Sequence, residues 1–190
     1  MTKIRRRMFI GVSVLALLAT APSMKAATED QLIANLSSSD EGKVISAMRH
    51  LKEQYRGSTK ALPAMKKLLT DSRLKVRERA AGTLGVFRAD VSEEDVKAIC
   101  TLMKEPGANA NMEGLKALRG VQGSAVAGAV PEVLPFLKNS NAYLMRDACR
   151  TLAVIGNKGL IHQIEPLVTN PDKKVRKDAQ EAITALQSKS

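Results

Sequence analysis

Leu69-Thr-Asp-Ser-Arg-Leu-Lys-Val-Arg-Glu-Arg-Ala80 returns, altered but in register, as Val168-Thr-Asn-Pro-Asp-Lys-Lys-Val-Arg-Lys-Asp-Ala179. Counted back from the closing alanine, both stretches carry Val-Arg-x-x-Ala: Val76, Arg77 and Ala80, then Val175, Arg176 and Ala179. A second pairing runs longer. Ala61-Leu-Pro63 recurs as Ala129-Val-Pro131, Asp71 as Asn139, Val76 as Leu144, Ala80 as Ala148 and Leu84 as Leu152, each 68 residues on (129 − 61), or twice 34. Self-similarity at such a period means stacked supersecondary units, each of which buries its apolar face only against its neighbours.

Five copies align on Leu51, Leu84, Leu118, Leu152 and Ile183, at steps of 33, 34, 34 and 31. Four residues earlier stand Ala47, Ala80, Gly114, Ala148 and Ala179, small enough to let two helices approach closely. Leu36, Leu69, Met103, Leu137 and Val168 close the first helix of each copy. The loops between the two helices carry Ser38, Asp71, Glu105, Asn139 and Asn170, expected to cap the second helix with a side-chain oxygen. Val76, Ala80, Leu84 and Phe87 fall on one helical face, as do Val175, Ala179, Ile183 and Leu186. Pro131 suits a first helical turn, where the missing N–H had no partner; Pro135 comes later and is expected to kink or shorten its helix. Gly57, Gly107, Gly156 and Gly159 punctuate the array, and no alternating strand pattern occurs.

These units resemble the HEAT-repeat family in its short bacterial form. The resemblance rests on two-helix repeats of this length, early prolines, and a loop acid followed by Val-Arg. Asp71 with Val76-Arg77 fits best and Asn170 with Val175-Arg176 nearly as well; Lys43-Val44, Ala110-Asn111 and Leu144-Met145 depart from it. It implies an all-α fold: an α-solenoid of about five two-helix repeats in a right-handed superhelix, near residues 28–56, 60–90, 93–123, 129–157 and 160–188. Armadillo-like and tetratricopeptide arrays are the neighbouring readings. The latter want large aromatics at set positions, and this chain has only Tyr55, Tyr143, Phe9, Phe87 and Phe136. The family pattern further implies a structural ladder in which the arginine after the valine reaches a loop acid of a neighbouring repeat, which assigns Asp71, Arg77 and Arg176 to structure.

Residues 1–26 read as a secretory signal peptide: basic Lys3, Arg5, Arg6 and Arg7, an apolar run from Met8 to Ala21, then Pro22 and small residues to Ala26-Ala27. An uncleaved anchor is the alternative, but the run is short against the ~20 residues a spanning helix needs. Cleavage after Ala26 or after Ser23 both fit, and no cysteine near the boundary supports a lipid anchor. The repeat domain then covers 27–190, without a transmembrane span, exported in a bacterium to the periplasm or beyond. Removal of Lys3, Arg5, Arg6, Arg7 and Lys25 lowers the net charge from +11 to 11 − 5 = +6. That mild excess favours acidic partners without establishing nucleic-acid binding.

Cys100 and Cys149, the only cysteines, lie in different copies on faces that need not meet, so a disulfide is not expected. His50 and His162 are far apart and lack companion ligands, so no metal site is expected. No nucleophile elbow, phosphate-binding loop or His-Glu-x-x-His occurs. The expectation is a protein that is not an enzyme and holds no cofactor. The second helices of such arrays line the concave side. Two residues either side of the alanine column lie Arg49, Lys116, Arg146, Arg150 and Lys177, with Arg79 and Tyr143 nearby. This mainly basic stripe is the candidate partner-binding surface, since Arg and Tyr anchor interfaces. The expected function is a protein-interaction module or scaffold whose partner carries an acidic segment. The alternatives are a binder of polyanions (nucleic acid, anionic lipid or acidic polysaccharide) and, less favoured, a lyase-type enzyme subunit.

Overall fold

The first and third helix pairs start where the sequence supplies a cap, and the last two first helices change character where it supplies a proline. The computed structural model describes residues 27–189; the expected signal peptide lies outside them. Among the described residues ten α-helices form five pairs and no strand occurs. The pairs are α1 (Glu29–Asn35) with α2 (Glu41–Gln54), α3 (Leu62–Lys67) with α4 (Leu74–Phe87), α5 (Glu93–Met103) with α6 (Ala108–Gly120), α7 (Val130–Val133) with α8 (Ala142–Ile155), and α9 (Ile161–Ile164) with α10 (Lys173–Gln187). Successive second helices pack on one another in chain order, α2 on α4, α4 on α6, α6 on α8 and α8 on α10. The result is the all-α repeat solenoid that the periodicity predicts.

Local chemistry explains the ends. Thr28 with Gln31, and Ser92 with Asp95, close capping boxes at the starts of α1 and α5. Pro135 and Pro166 stand just inside 3-10 segments, Leu134–Lys138 and Glu165–Thr169, that finish the fourth and fifth first helices. A proline there removes one backbone donor and crowds the preceding turn, so α7 and α9 stop after a single turn. Pro135 therefore shortens its helix.

The loop column works differently from expectation. Ser38, Asp71, Asn139 and Asn170 accept from the N–H of Asp40, Arg73, Asn141 and Asp172, which are themselves the N-cap residues of α2, α4, α8 and α10. The side-chain oxygens thus hold a tight turn two residues ahead of the helix instead of capping its first turn. Asp40, Asn141 and Asp172 do the capping.

The core columns behave as one stripe. Leu51, Leu84, Leu118 and Leu152 are fully buried, as are Ala80, Ala148 and Ala179, and Ile183 is nearly so. In the fifth copy Leu167 takes the buried place and Val168 is half-buried. A close crossing joins α4 to α6. A Cβ on Gly120 would stand 2.4 Å from the Gly85 carbonyl oxygen and 2.7 Å from its Cα. Only glycine permits that contact, and backbone cannot swing aside as a side-chain end can. Gly120→Ala is expected to cost about 1–3 kcal/mol by overpacking, read as a lower urea midpoint with helical circular dichroism retained. Beside this crossing, the segments after α4 and α6 meet: Gln122 N–H donates to the Ala89 carbonyl at 2.8 Å, and Val91 N–H to the Gln122 carbonyl at 3.0 Å.

Candidate functional site

Arginines tie the repeats together in two different layers. At the loop edge, Arg73 grips Asp71 with both ends of its guanidinium, at 2.8 Å each, and donates to the Ser38 and Ser39 carbonyls of the preceding copy. Arg77 donates to the Asp71 and Ser72 carbonyls and pairs with Glu105, the loop acid of the next copy. Asp71 therefore serves Arg73 through its carboxylate and Arg77 only through its backbone. Arg176 repeats the backbone half of this pattern, on Asn170 and Pro171 at 2.7 and 2.9 Å. No further loop acid follows it among the described residues. In the third copy, which lacks Val-Arg, Asn111 donates to the Met103 carbonyl.

The Arg73 grip holds the Asp71 carboxyl down at about 2, chiefly through the side-chain hydrogen bond. A depressed folded-state value means the stabilisation is complete above the ordinary carboxylate range and fades as pH falls towards 2. On acidification, wild type is expected to lose more thermal stability than Asp71→Asn, which has no such charge to lose. Equal losses in melting temperature would contradict the assignment.

On the second-helix layer the expected basic stripe separates into two halves. In the C-terminal half the cations are already engaged. Arg146 Nε donates to Asp178 at 2.6 Å and Arg150 Nη2 to the same carboxylate at 2.9 Å. Asp178 is only 2 % exposed. Arg119 repeats the arrangement one copy earlier, 3.2 Å from Asp147. Arg146 and Arg150, placed on the stripe from sequence, are thus also inter-repeat ties. Lys177 lies exposed beside Glu181, its i+4 neighbour at 3.6 Å. Arg49 does likewise with Glu53 at 3.7 Å and reaches His50 at 3.4 Å. Tyr143 is 63 % exposed and borders a hollow with Arg146, Asp172, Lys173 and Lys174.

The N-terminal half differs. Arg79 and Lys116, placed on the stripe from sequence, line one groove of about 390 Å³ together with Lys52 and Arg119. Gly82 and Gly85 of α4 form its floor, and Glu113 is its single carboxylate. Lys116 pairs with Glu113 at 3.0 Å, whereas Lys52 and Arg79 carry no ion pair among the described residues. Sequence reasoning missed Lys52 and Arg119 because they lie outside the columns flanking the alanine. It also missed Asp147 and Asp178. Their signal was present: each directly precedes a column alanine, with an arginine 28 positions before it (147 − 119, 178 − 150).

Elsewhere, a hollow of about 400 Å³ on the first-helix side is lined by Glu93, Lys97, Cys100 and Glu132. Glu132 is paired there with Lys104 at 3.1 Å. Both thiols are free and buried. Burial pushes Cys100 up to about 11 and Cys149 to about 12, so both remain protonated at neutral pH. His50 approaches Ser46 at 3.5 Å, and His162 is exposed. Among the described residues no group of three or more His, Cys, Asp or Glu could hold a metal ion. No helix among them is long and apolar enough to cross a membrane.

No protein-family model matches the chain, and no curated protein matches it. Solved structures do match. The complex of CpcE and CpcF of phycocyanin lyase from Nostoc sp. aligns with a TM-score of 0.70 and 20% identity, over 89% of this chain and 68% of that one. An engineered protein aligns with a TM-score of 0.65 and 23% identity, over 84% of this chain and 79% of its own. A second engineered protein gives 0.64 and 23%, over 84% and 81%. At these identities the likeness is one of fold. The chain is a helical-repeat solenoid of the HEAT/armadillo-like kind.

Proposed function

We propose that this chain is an exported, non-enzymatic interaction module belonging with the HEAT repeats, and that it engages another protein through its second-helix face. The observation that carries the reading is the pair Lys52 and Arg79, cations without a carboxylate partner on a rigid groove wall. Of the stripe cations, Arg79 is the one without a carboxylate partner among the described residues: Arg49 has Glu53, Lys116 has Glu113, Arg146 and Arg150 have Asp178, and Lys177 has Glu181. Charges held apart by packed helices are pre-organised, so a partner with carboxylates gains attraction without ordering the groove. Export rests on the signal-like pattern of residues 1–26. Amino-terminal sequencing of protein from a periplasmic fraction tests it, with Ala27 expected first.

The face itself is tested by cross-linking. A photoreactive phenylalanine analogue at position 78, on α4 beside the groove, is expected to capture a protein partner in cells. The same analogue at position 97, on first helix α5, is expected to capture none. Adducts from 97 alone would overturn the reading. The excess of positive charge also supports the alternative of a polyanion binder. Nucleic-acid capture would weaken steeply with added salt, whereas a protein held through buried contacts would persist.

A further inference from the structure

We propose that the groove over Gly82 is a carboxylate site for an acidic protein segment, and that Glu113 occupies it in the unbound protein as an internal competitor. The inference rests on the second-helix face being the working face. Glu113 already reaches over the floor: a Cβ on Gly82 would stand 2.5 Å from Glu113 Oε2, while Oε1 takes the Lys116 ammonium at 3.0 Å. The bare glycine is what lets a carboxylate lie there, within a lining of Lys52, Arg79, Lys116 and Arg119.

Glu113 is also the exception among the acids of its column, in which Ser46 and Arg79 hold the first two places. It directly precedes Gly114, as Asp147 precedes Ala148 and Asp178 precedes Ala179. Asp147 and Asp178 are buried and gripped by an arginine from the preceding repeat. Glu113 is partly exposed and held only by Lys116 of its own helix, an i,i+3 pair. Such a pair is a weak tether, readily exchanged for another carboxylate. Once Glu113 swings out, the groove presents Lys52, Arg79 and Lys116 with no acid among them, while Arg119 stays on Asp147. Arg79 brings a planar guanidinium fork that matches a carboxylate.

The geometry favours an acidic peptide over nucleic acid. No aromatic side chain lines the groove, so bases have nothing to stack on. A volume of about 390 Å³ takes a few side chains, not a duplex.

The test is fluorescence anisotropy of the whole mature chain with a labelled deca-glutamate peptide, beside an oligothymidine of equal length. Lys52→Glu with Arg79→Glu is expected to weaken peptide binding about tenfold or more, as loss of charge complementarity does. Gly82→Leu, which keeps every charge, is expected to weaken it by filling the floor. Glu113→Gln is expected to tighten it about threefold or more by removing the competitor. Lys138→Glu with Lys158→Glu, an equal charge change on exposed residues outside the second helices, is the control for overall charge and should change little. A Glu113→Gln protein that binds no tighter would overturn the competitor. Equal effects of the Lys138→Glu, Lys158→Glu control and the groove variants would overturn the groove. Tighter binding of the oligothymidine, lost in the groove variants, would reassign the site to polyanions. Cross-links from position 78 that ignore all the groove variants would sink this site and leave the face standing. Absence of cross-links there would sink the face, whatever the peptide does.

Discussion

Replacing Arg146 and Arg150 together by alanine is expected to destabilise the fold by about 3–5 kcal/mol, the range for stranding one partner of a buried ion pair. The reason lies in Asp178. Its carboxylate is 2 % exposed, and both its cationic partners come from α8, at 2.6 and 2.9 Å. Removing both leaves a charge that water cannot reach and no donor offsets. Arg150→Ala alone should cost much less, because Arg146 remains in place. Adding Asp178→Asn to the double variant should recover part of the loss by removing the stranded charge. Urea unfolding followed at 222 nm reads all four proteins. A double variant within about 1 kcal/mol of wild type would mean that Asp178 is solvated in solution. The result bears directly on function. Glutamates at Arg146 and Arg150 would set three carboxylates together, and any lost partner binding would reflect unfolding. Lys52 and Arg79 avoid that confusion, since neither has an ion pair to lose.

Leu152→Ala and Leu84→Ala should each cost about 2–5 kcal/mol, the sum of lost transfer energy and an unfilled cavity. Both leucines are fully buried, on second helices packed between a neighbour on each side. Ile183 holds the same column on α10, but among the described second helices it has α8 alone beside it and is 6 % exposed. Ile183→Ala should therefore fall at the low end of the range. In a linear array stability is nearly a sum of nearest-neighbour interfaces, so an interior truncation weakens two of them and a flanking one fewer. Equal losses at all three positions would argue for one indivisible core instead.

Much of this architecture was readable from periodicity. The leucine and alanine columns required a buried stripe on each second helix, and those residues are the buried ones. Pro135 foretold the short first helix of the fourth copy, because the missing N–H and fixed φ act locally. The loop residues were located correctly but given the wrong task. Residue type signals that a side-chain oxygen will bond nearby backbone, not which N–H it will reach.

The candidate site was less legible. A stripe of Arg and Lys on one helical face is the same string of letters whether the charges are free or engaged. Arg146 and Arg150 differ from Arg79 only because α10 brings Asp178 against α8, whereas no acid within bonding reach of Arg79 is brought against α4. Likewise Gly82 reads as a weak point in a helix until α6 lays Glu113 across it. The sequence alone determined the repeat, its length, its helical faces and its core columns, since those follow from short-range periodicity and burial of apolar stripes. Only the tertiary structure decided which cations remain available, where the groove opens and which acid fills it. Those depend on contacts between residues about 30 positions apart, whose electrostatic balance no local pattern encodes.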